Sequence, residues 1–182
     1  MRSGRVLVRV LAGALVSGLI LAGTATPAAA APLPPDTFGC KTLLDPAAPT
    51  LFGTPVVELP PTTLTATWDP EIKRIIYDNP LKNCKWSAVY GKVVIDFTVA
   101  LITPAERADI RDRWLTAYGL SGVPVGGDNY IYHRWITGYG RVESAAVLSI
   151  PYYVTAVASD VDSSYFPAFI QGQADQVTRL YG

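Results

Sequence analysis

Sulfur and imidazole are nearly missing from this chain of 182 residues, which has one methionine, at position 1, one histidine, His133, and two cysteines, Cys40 and Cys84. Each scarcity excludes something. Without thioethers beyond the first residue, no adaptable Met-lined groove can form. Two thiols and one imidazole at no recognisable spacing fall short of a zinc site, so no metal is expected. Any Ser-His or Cys-His catalysis has to pass through His133. Charged residues make up only 16% of the chain, with fifteen basic and fifteen acidic groups, and no basic excess points to nucleic acid or to an anionic membrane surface. The sequence also has no Gly-x-Ser-x-Gly elbow. Its Gly122 to Gly127 run lacks the Lys-Ser/Thr of a phosphate-binding loop, and no cofactor is expected.

What is present starts at the N-terminus. Arg2, Arg5 and Arg9 precede an apolar run from Val10 to Ala22, and Ala28, Ala29 and Ala30 supply the small residues of a cleavage site, the pattern of a secretory signal peptide. The run is too short for the roughly 20 residues of a membrane span, so no span is expected after cleavage. Cleavage after Ala30 avoids a scissile bond beside Pro32. Residues 31–39 then read as a Pro-rich tether and residues 40–182 as a single domain. Loss of the leader leaves twelve basic against fifteen acidic residues. Cys40 lies well beyond the apolar run, which argues against a lipid anchor. In an exported chain an isolated cysteine pair reads as one disulfide, Cys40 to Cys84.

Five prolines between Cys40 and Pro61 block long helices there. Thr62 to Trp68 and Ile72 to Tyr77 read as two short strands between Asp-Pro and Asn-Pro turns, the second also compatible with a helical turn. The clearest strand has Val93, Ile95, Phe97, Val99 and Leu101 alternating with Val94, Asp96, Thr98 and Ala100. Thr103, Pro104 and Glu106 then form a capping-box start, with a stripe of Ile110, Trp114, Ala117 and Tyr118 and a stop at Gly119. Three β-rich runs follow, Asn129 to Thr137, Arg141 to Ile150 and Tyr152 to Ser159. A final helix starts from a Ser163 or Ser164 cap and carries Phe166, Ile170, Ala174, Val177 and Tyr181. The fold class is therefore α+β, a mostly antiparallel sheet with helices packed on one face.

Candidate chemistry is sparse. His133 reads as a hydrogen-bonded strand residue, and Asp96 as an exposed or Arg-paired carboxylate opposite the apolar stripe. Asp160 and Asp162 read as acids at the start of the last helix. One constellation suits ligand binding: Tyr130, Tyr132 and Arg134 alternate on one strand face, with Tyr152 available from a neighbouring strand, and rings beside a guanidinium fit sugars, peptides or lipid headgroups. The competing reading has these rings covering the sheet beneath a helix.

The order of a leader, Cys40-Lys-Thr-Leu-Leu44, Cys84-Lys-Trp86 opening a strand pair, a helix, late strands and a terminal helix resembles the secreted actinobacterial proteins of the DUF3558 type. That resemblance implies a PsbP-like α+β fold and an envelope location, and it carries no catalytic residues. Such proteins are usually anchored through a cysteine next to the apolar run, which this sequence lacks. Together these features predict a secreted or cell-wall-associated, non-enzymatic domain that binds a small ligand, a glycan or a protein partner. The alternatives are a small hydrolase with an acid pair and an inhibitor that presents the loop Ser121 to Asn129.

Overall fold

A computed structural model describes residues 38–60, 66–77, 81–136, 140–159 and 164–182. The expected leader, most of the tether, part of the first short strand, Gly138, Asp160, Asp162 and Ser163 lie outside the described residues. The rest belongs to one compact unit.

Among the described residues, seven strands form one antiparallel sheet in the order β1-β2-β3-β7-β6-β5-β4. They are β1 (Val57–Leu59), β2 (Leu81–Ala88), β3 (Val93–Leu101), β4 (Val123–Pro124), β5 (Tyr130–Ile136), β6 (Arg141–Val147) and β7 (Tyr152–Ser159). Five α-helices accompany them among the described residues: α1 (Cys40–Leu43), α2 (Ala48–Phe52), α3 (Pro70–Tyr77), α4 (Pro104–Tyr118) and α5 (Phe166–Tyr181). The α+β, antiparallel reading holds. Among the described residues no helix is long and apolar enough to cross a membrane.

Strand alternation sets where the core lies. Ile95, Phe97 and Val99 of β3, Val142 and Ala146 of β6, and Val154 and Ala156 of β7 meet the Phe166, Phe169, Ile170, Ala174 and Val177 stripe of α5 on one side of the sheet. The expectation of helices on one face describes α5. On the other side Ala100, Ala145, Val147 and Tyr153 are covered by Ile72 and Ile76 of α3 and by Ile110 and Trp114 of α4. The central strands β6 and β7 are buried at both parities, so each side has a cover.

The α4 boundaries are those of the sequence pattern: Thr103 and Glu106 form a complete capping box, and Gly119 closes the helix at φ +68°. Its stripe is narrower, since Ala117 is exposed. The Ile72 to Tyr77 strand is replaced by α3. Asp69 caps it, accepting from the Glu71 and Ile72 N–H groups at 2.8 and 2.9 Å, with Pro70 at the first helical position. Ile72 and Ile76, one turn apart, are both fully buried. The start of α5 also differs from expectation, because Tyr165 occupies the cap position and makes no side-chain cap. Cys40 and Cys84 are disulfide-bonded with Cα atoms 5.5 Å apart, tying α1 to β2.

Candidate functional site

Tyr130, Tyr132 and Arg134 do share one face of β5, but α4 lies on it. Tyr132 is buried and stacks on Trp114 with ring centroids 5.1 Å apart. Arg111 of α4 sits over the Tyr130 ring at 4.0 Å. The Arg134 guanidinium lies 3.7 Å over Tyr118 and donates from Nε and Nη2 to Glu143 at 2.9 and 2.6 Å. Tyr152 does not join them. Tyr132 is level with Ala145, and Ala145 with Thr155, so odd-numbered β7 residues share the Tyr132 side. Tyr153 is the tyrosine on that side, accepting from Trp114 Nε1 at 3.4 Å, while Tyr152 packs against Tyr181 on the other. The expected four-residue constellation is therefore not assembled, and three of its members support the fold.

The polar groups beneath α4 are committed to one another. Glu143, fully buried, accepts from Thr67 Oγ1 at 2.6 Å as well as from Arg134. Burial lifts its carboxyl above the ordinary range, with Arg134 and Thr67 pulling the other way. Asp69 combines its helix cap with a 2.9 Å bond from Arg113 Nε and a bond from the Tyr118 hydroxyl. Burial pushes its carboxyl up, but the Tyr118, Ile72 and Arg113 donors outweigh this and hold it below the usual value. Asp96 pairs with Lys85, its neighbour on β2, at 3.8 Å rather than with an arginine.

The other side of β5 is open. Ile131 and His133 face a cavity of about 420 Å³ walled by the segment from Gly119 to Val125 and by Pro167 and Gln171 of α5. Leu120, Val123, Val125 and Ile131 make its lining mainly apolar. The outer wall stands because β4 pairs with β5, Val123 with Ile131 and Pro124 with Tyr130. Gly122, at φ +76°, lets the chain pass directly over the Tyr132 ring. Asp128 then ties the following turn to α4 through Arg107 at 3.7 Å and Arg111 at 3.5 Å. The Ser121 to Asn129 stretch is thus the wall of a hollow rather than a free-standing loop.

Among the described residues, His133 is the titratable group in that wall, apart from the phenol of Tyr132. Its Nδ1 is 2.6 Å from Ser144 Oγ, the distance of a serine and its base, yet Ser144 is fully buried and out of reach of a substrate. Burial holds the imidazole below its ordinary value, so the ring is neutral at pH 7. The hydrogen-bonded strand reading of His133 matches this geometry.

A second hollow of about 380 Å³ lies where α3 and α4 leave the sheet uncovered. Asp96, Val157, Lys73 and Arg141 surround it, with Trp68 exposed and Arg141 4.9 Å over its ring. Sequence reasoning missed both hollows. The available signal was the glycine spacing from Gly119 to Gly127, which marks a chain crossing close over another element, but it does not say which side chains the crossing encloses.

In comparisons with known proteins, no family model matches this chain and no curated protein does.

Proposed function

We propose that this chain is a secreted or wall-associated domain that binds a small ligand in the cavity between β5, the Gly119 to Val125 segment and the start of α5. The observation that carries this reading is the cavity itself: a preformed, mainly apolar hollow of about 420 Å³ edged by a few polar groups, the usual form of a small-molecule site. The disulfide and the leader pattern support export. The hydrolase reading has weaker support, because Asp69 and Glu143 are bonded to arginines under α4 and Ser144 is enclosed. The inhibitor reading is weakened by the pairing of β4 with β5.

A thermal-shift screen of small apolar compounds on the wild type and on Gln171→Trp tests the proposal. Gln171 is half-buried on α5, so a tryptophan there fills the cavity without disturbing the core. Hits should raise the melting temperature of the wild type and lose that effect in the variant. Hits that shift both proteins equally would place binding elsewhere.

A further inference from the structure

We infer that the cavity takes an uncharged amphiphile, an aliphatic chain with one hydroxyl or carbonyl head, whose head lies at His133 and Gln171 and whose chain lies along Leu120, Val123, Val125 and Ile131. This rests on the ligand-binding reading above and names the chemical class of its ligand.

Charge carries the first step. Among the described residues, no Lys, Arg, Asp or Glu lines the cavity. An ionised head placed there would lose its hydration without gaining a counter-ion, which costs far more than burying a hydroxyl that finds a hydrogen bond. Among the described residues, the arginines beside it on α4 and β5 are already committed. Arg134 is held by Glu143, and Arg111 by Asp128 and the Tyr130 ring, both toward the opposite side of the sheet. Two formal charges among the described residues bond lining residues: Arg111, which reaches the Tyr132 phenol and is shared with Asp128 and the Tyr130 ring, and Asp175, whose Oδ1 accepts from Gln171 Nε2 at 2.9 Å. The charge beside the head position is therefore that of Asp175, which repels a carboxylate or phosphate head.

The second step is the hydrogen-bonding capacity that remains. With its Nδ1 engaged by Ser144, His133 keeps Nε2 for a ligand. Because the Ser144 hydroxyl can either donate to Nδ1 or accept from it, Nε2 is an acceptor in one tautomer and a donor in the other. A hydroxyl or a carbonyl head is therefore met equally well. Gln171, its amide N–H given to Asp175, retains its carbonyl oxygen as an acceptor for a hydroxyl. The remaining wall is mainly aliphatic, with one hydroxyl from Ser121 and the Tyr132 phenol, and it suits a chain rather than a stack of hydroxyls such as a sugar presents.

The test compares octan-1-ol, octanoate and octylammonium, one chain with three heads, by NMR titration of the intact domain at pH 7.5 in wild type and Gln171→Lys. Octan-1-ol should perturb residues 119–123 and 131–133 and bind at least tenfold more tightly than either ion. Gln171→Lys, which sets a cation beside the head position on a half-buried helix surface, should raise octanoate affinity at least fivefold. Octanoate binding the wild type as tightly as octan-1-ol, at the same residues, would overturn the inference and leave the cavity reading standing. Binding of none of the three at these residues would overturn both.

Discussion

Gly122 and Tyr132 are in a contact that only glycine permits: a Cβ at position 122 would stand 2.8 Å from Cζ of the Tyr132 ring, and the backbone there has φ +76°. The same ring stacks on Trp114 from the other side of the contact chain, so the cavity wall, β5 and α4 are fixed through one side chain. Gly122→Ala should therefore cost about 1–3 kcal/mol, from the left-handed backbone and from displacement of the ring. Urea denaturation measures the loss. Adding Tyr132→Leu should give a total smaller than the sum of the two single losses, since the clash is then gone.

Arg134 and Glu143 behave as one unit. Arg134→Ala leaves a fully buried carboxylate without its cation and should destabilise the domain by about 3–5 kcal/mol. The double variant Arg134→Ala, Glu143→Leu removes both charges and should be less damaging than Arg134→Ala alone. Equal losses would mean that the carboxyl left behind in Arg134→Ala is uncharged.

The Cys40–Cys84 bond closes a loop of 44 residues. Chain-entropy arguments assign such a loop roughly 4 kcal/mol. Reduction should lower the denaturation midpoint, and native protein should show no thiol reactive to alkylation until it is reduced.

How much of this was legible in the chain depended on how local each cause was. The α4 capping box and the β3 alternation are written in consecutive residues, and both elements stand where the pattern puts them. The α3 helix was harder. Its eight residues show only Ile72 and Ile76 as a buried pair, and Asp69-Pro70, read as a turn, is a cap followed by a first helical residue. The candidate site failed on non-local causes. Alternation correctly joined Tyr130, Tyr132 and Arg134, but the one-residue register that selects Tyr153 instead of Tyr152 is set by β6, which stands between the two strands. Nothing in β5 says that α4 will return to cover it.

Stability should fall in acid through two groups. His133 binds a proton less readily when folded, because of burial, so its contribution is complete above about pH 6.5 and is lost as pH falls below that value. Asp69, whose carboxyl is held below its ordinary range, contributes above about pH 4 and loses that contribution as pH falls further. Glu143, lifted by burial, has the opposite sign. Differences between variants isolate each group. The loss on going from pH 8 to 5 should be smaller in His133→Gln than in wild type, and Asp69→Asn should flatten the profile below pH 4.

Ligand binding in the cavity beside β5 is tested most directly by mapping backbone amide shifts on addition of a neutral eight-carbon alcohol. Saturable changes are expected at residues 119–123, 131–133 and 171, with little change near Trp68 and Arg141 at the second hollow. Changes confined to Trp68, Lys73, Asp96 and Arg141, with the Gly119 to Val125 segment and His133 silent, would contradict it.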